Sequence, residues 1–281
     1  MKTCVVIFLV LLANATTASE PLKIGITENL LNKYNTYLAG RSVYEIKEYD
    51  GNGARRSVIE VVLLLQALKA GGLNDPVEWV LQPNYARIKR SLQNGTITLS
   101  ASSLWNYDIE ELRQYCVASD AIVAEGEYQA GLFKLSTNPL TISNINDLPS
   151  LTAISVAAWI PDWNTLASLP LKKVIDANKW DTMIKLLIAE RGDFILSSFK
   201  PTEDMGFTEG GYRFVPIKNI KVSLLGSRHF VISAQDTHHH EVLTTLNNGI
   251  KKLRAEGVIN KAFTQAGFYN ANVKGWQDLT Q

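Results

Sequence analysis

The order of elements in this chain predicts an α/β protein with mainly parallel sheets, and three observations carry that prediction. Short apolar runs suited to buried strands alternate with stretches of helical periodicity. Glycine turns close one helix after another just ahead of the next strand. The alternation also runs through twice, in a chain long enough to bury one large core or two medium ones.

Residues 1–19 stand outside the pattern. Met1-Lys2 gives a short positive start, Cys4 to Leu12 is apolar, and Ala13 to Ser19 is small and polar. That order is expected of a secretory signal peptide, and the apolar stretch is too short to span a bilayer. The mature chain is therefore expected to be exported. Loss of Cys4 with the leader leaves Cys116 alone, so no intramolecular disulfide can form. A bridge-free exported protein fits a bacterial periplasm. The chain holds 28 Lys plus Arg and 27 Asp plus Glu. Such balance gives no electrostatic case for nucleic acid or an anionic membrane.

The elements follow in order. Leu22 to Thr27 reads as a buried strand. Ser57 to Ala70 is a helix apolar almost all round, stopped by Gly71-Gly72. Val77 to Leu81 returns as a strand, Tyr85 to Gln93 as an amphipathic helix closed by Asn94-Gly95, and Thr96 to Leu99 as a third strand. The second unit starts with strands at Ala121 to Ala124 and Gly131 to Leu135, then a Pro-punctuated loop. Leu151 to Ala157 is a strand, Lys179 to Glu190 a helix striped by Trp180, Met183, Ile184, Leu187 and Ile188, and Asp193 to Leu196 a strand. Val222 to Leu225 and His229 to Ile232 read as a strand pair. Glu241 to Ala255 is a helix with Leu243, Leu246, Ile250 and Leu253 on one stripe.

Three segments in order resemble the periplasmic solute-binding proteins of the amino-acid-receptor type, the extracellular family 3 group. Arg87 to Thr98 (RIKRSLQNGTIT) is similar to that family's helix-glycine-strand element. Ile184 to Ile195 (IKLLIAERGDFI) is similar to its second-domain element, with Arg191, Gly192 and Asp193 reordered. Leu246 to Phe263 (LNNGIKKLRAEGVINKAF) is similar to its closing pair of helices. The resemblance implies a two-lobe, type II periplasmic-binding-protein-like fold. It places residues 20–119 plus 220–281 in lobe 1 and 120–219 in lobe 2, with ligand in the cleft between them. It further implies a small-molecule ligand, a membrane permease or sensory receptor as partner, a monomer, and no cofactor.

The cleft positions depart from the family pattern. Its carboxylate-clamping Thr-x-x-Arg is replaced by residues 100–107 (SASSLWNY), and the nearest arginine is Arg113. Arg113 could take over the clamp or pair with Asp108 or Glu110 on the surface. The family's amine-binding aspartate falls near Ser197, which is uncharged. Aromatics stand in their place: Trp105 and Tyr107 after a first-lobe strand, Trp159 and Trp163 after a second-lobe strand. Trp105 and Trp163 are expected to face each other across the cleft, as tryptophan faces suit rings and cations. Asp162 between the second-lobe tryptophans would favour a cationic group or cap the helix starting near Trp163. Glu28 and Tyr34, in the loop after the opening strand, face the cleft in the family.

The run His238-His239-His240 could suggest a metal, but neighbours on a helix diverge by about 100° each, and an exposed helix start explains the run better. Cys116 reads as a small apolar filler. An enzyme on the same scaffold, dehydratase-like, would draw on Glu28, Glu125 and Asp162, none with a recognisable partner. A non-catalytic receptor is the leading expectation, for a ligand other than a standard α-amino acid in the usual pose.

Overall fold

A computed structural model describes residues 20–73, 75–200 and 202–281. The expected leader lies outside the described residues.

The first half of the chain builds β1 (Leu22–Thr27), α1 (Glu28–Leu38), α2 (Arg56–Gly71), β2 (Val77–Gln82), α3 (Tyr85–Gln93), β3 (Leu99–Ser100), β4 (Leu104–Trp105), α4 (Asn106–Leu112) and β5 (Cys116–Val123). There follow β6 (Gln129–Leu135), β7 (Thr152–Ser155), α5 (Ile160–Ala167), β8 (Lys173–Asp176), α6 (Trp180–Ile188), β9 (Phe194–Ser197), β10 (Phe207–Glu209), β11 (Tyr212–Pro216) and β12 (Ile220–Ser223). The chain closes with β13 (Arg228–Ser233), α7 (His239–Ala255), α8 (Val258–Gln265) and β14 (Gln277–Asp278).

These strands form two separate mixed sheets flanked by helices, the two-lobe architecture expected. One runs β2-β1-β3-β13-β4 with β5 also on β13; the other runs β10-β11-β6-β9-β7-β8, with β12 on β6 and β14 on β12. β1 is parallel to β2 and β3, and β7 is parallel to β8 and β9. β13 and β6 run antiparallel to their neighbours.

β12 and β13 do not pair with each other, contrary to expectation. β12 joins the second sheet and β13 the first, so residues 224–227 between them are a crossing between lobes. A second crossing, residues 124–128, joins β5 to β6. Glu28 and Tyr34 also lie on a helix, α1, and not in a loop. Thr27 caps it through a hydrogen bond accepted from the Leu30 N–H.

α2 is the centre of the first lobe. Val58, Ile59, Val61, Val62, Leu63 and Leu64 are all fully buried, as an all-round apolar helix must be. α7 crosses it at very close range. A Cβ on Gly249 would sit 1.8 Å from the Ala67 carbonyl oxygen, and one on Gly71 would sit 1.9 Å from that of Thr245. The second sheet is covered by α5 on one face and by α6, with Met183, Ile184 and Leu187, on the other. Cys116 is 5% exposed, and burial pushes its thiol up to about 11, which suits the filler role.

Candidate functional site: the interlobe cleft

α5 starts directly after β7, and its first turn forms one wall of the cleft. Trp159 precedes the helix and accepts the Trp163 N–H on its carbonyl (2.9 Å). Pro161 lies at the first turn, where a missing N–H costs nothing. The Thr165 hydroxyl, fully buried, donates to the Pro161 carbonyl (2.7 Å) and accepts the Leu225 N–H (2.9 Å). That pair of bonds fixes α5 against the 224–227 crossing. The Trp159 indole stacks on Trp180 at 6.5 Å and 28°, and stays 37% exposed.

Asp162 follows in the same turn. Burial raises its carboxyl to about 6, against the opposing effect of its own backbone N–H. No cation pairs with it among the described residues.

The facing wall comes from β4 and α4. Trp105 ends β4, with the Arg228 guanidinium 4.8 Å from its ring centroid and Tyr128 stacked at 6.2 Å and 25°. Tyr107 donates from its hydroxyl to the Leu225 carbonyl (3.3 Å). Asp108 accepts from the Tyr85 hydroxyl (2.9 Å) and from Lys89 (3.0 Å), which also reaches Glu111 (2.8 Å). Between the walls lies a cleft of about 200 Å³, lined by Trp105, Tyr107, Asp108 and Glu111 on one side and residues 158–162 on the other.

Of the residues singled out from sequence, the fold thus brings Trp105, Tyr107, Trp159 and Asp162 together. It does not bring the others. Trp163, the residue after Asp162 on α5, is half-buried and does not line the cleft, so Trp159 is the second-lobe tryptophan that lines it with Trp105. Arg113 is 68% exposed and pairs with Glu110. Glu28 is exposed at the start of α1, and Tyr34 is 4% exposed, edge-on to Trp79 in the first-lobe core. Ser197 ends β9 opposite Gly131, also away from the cleft lining.

Behind Trp105 lies an ionic group that sequence reasoning missed. Glu60, fully buried on α2, accepts from Arg56 (2.7 Å), Arg228 (3.3 Å) and the Ser103 hydroxyl (2.7 Å). Burial alone would raise the Glu60 carboxyl; Arg56, Arg228 and Ser103 outweigh that and hold it below the ordinary carboxylate range. Arg228 also donates to the Ser103 carbonyl (2.5 Å). The available signal was Glu60 itself, the single acidic residue in the apolar middle of that helix, which must meet cations to be tolerated. Tyr128, in the 124–128 crossing, was missed as well. Its phenol is raised by burial and then by Asp162, and it shares a hydrogen bond with Ser198.

No family model matches the sequence, and no curated protein matches it. Solved structures do match in shape. The second substrate-binding domain of Lactococcus lactis GlnP, in an open conformation, superposes with a TM-score of 0.55 at 18% identity, covering 90% of this chain and 97% of that one. The L-cystine solute receptor of Neisseria gonorrhoeae, unliganded and open, gives 0.53 at 13% identity, covering 90% and 95%. The periplasmic VFT2 domain of Bordetella pertussis BvgS gives 0.52 at 13% identity, covering 89% and 93%. At these identities the similarity is one of fold: two α/β lobes about a cleft.

Proposed function

We propose that this chain is an exported, monomeric solute-binding receptor. It captures a small polar ligand between its lobes and presents it to a membrane permease or a sensory receptor. The observation that carries the reading is the cleft itself, where Trp105 and Tyr107 of one lobe meet Trp159 and Asp162 of the other. A ligand touching both walls favours the closed arrangement of the lobes, and that change of shape is what a membrane partner can read. The fold similarity to substrate-binding domains and a solute receptor supports this use of the cleft. Among the described residues no helix is long and apolar enough to cross a membrane.

The ligand differs from a standard α-amino acid in the usual pose. Arg113 faces Glu110 and Ser197 carries no charge, so neither half of the zwitterion clamp stands in the cleft. One observation favours an enzyme instead: a carboxyl held near pH 6 is suited to general acid–base work. The other carboxylates of the cleft, Asp108 and Glu111, are already paired with Lys89, however, and Glu28 and Glu125 are exposed elsewhere. Binding without turnover is the better reading.

A thermal-shift screen of amino acids, amines, sugars and organic acids tests it, since a ligand bound only by the folded state raises the melting temperature. A hit should also shrink the radius of gyration in solution scattering and be recovered unchanged after long incubation. Conversion of the hit to product would replace the receptor reading with the enzyme.

A further inference from the structure

We propose that the interlobe cleft selects a compact organic ammonium ion that carries no carboxylate. This rests on the receptor reading and adds the chemistry of the ligand.

Charge is the first argument. Asp108, Glu111 and Asp162 all line the cleft, and no lysine, arginine or histidine does. Lys89 bridges Asp108 and Glu111 from outside the lining, and among the described residues no cation pairs with Asp162. One cation against three carboxylates leaves the lining negative. Between two protein walls that charge attracts a cation more strongly than it would in open water.

The aromatic wall is the second argument. Trp159 stacks on Trp180, yet remains 37% exposed and lines the cleft. An indole and a carboxylate with no cationic partner in one cleft make a seat for an ammonium group, which gains from both. Trp105 contributes less, because Arg228 already lies over its ring.

A ligand carboxylate finds no such seat. The N-terminus of a helix would ordinarily attract one. In α5 that position is taken, because Pro161 has no N–H and Asp162 places its own carboxylate on a first-turn N–H. Arg56, Glu60 and Arg228 together carry one excess positive charge, but none of them lines the cleft: Arg228 is buried under Trp105, and Arg56, 34% exposed, lies against Phe268 and pairs with Glu60. At about 200 Å³ the cleft is smaller than the roughly 300–1,000 Å³ of drug-sized pockets, which sets the limit to a compact ion.

Calorimetric titration of the mature chain with choline, tetramethylammonium, ethanolamine, glycine betaine, glycine, glutamine and glucose tests the proposal. Choline and glycine betaine share one trimethylammonium head and differ in a hydroxyl against a carboxylate. The expected result is that at least one carboxylate-free ammonium binds, and glycine betaine binds at least about tenfold more weakly than choline. Asp162→Asn should weaken that binding by a similar factor in protein that circular dichroism shows to be folded. Tighter binding of glycine betaine, an amino acid or glucose than of every carboxylate-free ammonium would overturn the ligand class and leave the receptor standing. So would unchanged affinity in folded Asp162→Asn. Absence of binding by the whole set, with no closure in scattering, would overturn both.

Discussion

Asp162 is where burial and function pull in opposite directions. Its carboxyl titrates at about 6 in the folded protein, against an ordinary value of 3.8. The unfolded chain therefore loses this proton first as pH rises. Between about pH 4 and 6 the folded state holds more protons, so stability falls with rising pH, and above 6 the full penalty applies. At about 1.4 kcal/mol per pH unit the penalty is roughly 3 kcal/mol, less whatever solvent at the cleft screens. Asp162→Asn removes it. We predict that the variant melts with the parent at pH 4 and several degrees above it at pH 8, with the difference appearing around pH 6. Burial is the cause of that sign, and the hydrogen bond from its own backbone N–H opposes it without reversing it. Equal melting at both pH values would show that Asp162 is well solvated. At this scale the sequence exposed part of the site. Trp105, Tyr107, Trp159 and Asp162 were legible because they follow strands into the loops where α/β folds place ligands. Trp163 was not, because adjacent helical residues diverge by about 100° and Asp162 already points at the cleft. Glu60 and Arg228 meet across 168 positions, a pairing no local pattern carries.

Among the elements, the helices α2, α6 and α7 were readable, as were the short strands β7, β9 and β12, whereas β8, β10 and β11 were not. α2, α6 and α7 announce themselves by apolar periodicity and by glycine or charged ends. β8, β10 and β11 lie toward the edges of the second sheet, where half-exposed residues blur the alternation. α1 was overlooked although Leu30, Tyr34 and Tyr37 mark a buried stripe at helical spacing. Its stop is Ala39, in the left-handed region at φ 46°, with glycine only at the next position. β12 and β13 read as a strand pair because they follow one another closely in sequence; only long-range pairing reveals that they part. The α2–α7 contact supports a sharper test. Gly249→Ala gains about 1 kcal/mol of helix propensity, but its methyl meets the Ala67 carbonyl, backbone that cannot step aside. Forcing two packed helices apart costs about 1–3 kcal/mol or more, so the clash wins. Urea unfolding should show Gly249→Ala destabilised, and Gly275→Ala, which meets nothing within 4 Å, near neutral. Parental stability in Gly249→Ala would mean that the helices separate freely.

Across the whole molecule, the end of the chain ties the lobes together a third time. After α8 in the first lobe, Phe268 packs against Tyr128 with ring centroids 4.6 Å apart and planes tilted by 38°, and the Tyr269 hydroxyl donates to Glu127 (3.1 Å), both partners on the 124–128 crossing. The chain then enters the second lobe. Val273 is fully buried there, Trp276 meets Phe199 edge-on at 5.4 Å, β14 pairs with β12, and Leu279 is 4% exposed. Lys221, 5% exposed, donates to the Val273 carbonyl (2.8 Å). The resemblance placed residues 220–281 in lobe 1, but β12 and β14 join the second lobe's sheet, a long-range pairing that nothing local in those residues signals. Two effects of the tail can be separated, anchoring of the second lobe and restraint of lobe opening. Deleting residues 270–281 removes buried side chains worth about 1.5–3 kcal/mol each and strands the Lys221 ammonium, so it should lower stability sharply. Inserting a short Gly-Ser stretch between Tyr269 and Asn270 keeps every anchor and lengthens only the tether, at a loop-closure cost of about 0.6 kcal/mol per doubling. We predict that the insertion leaves the melting temperature nearly unchanged and increases the radius of gyration of the ligand-free protein. An unchanged radius beside an intact melting curve would assign the tail to anchoring alone, leaving the 124–128 and 224–227 segments to set how far the cleft opens.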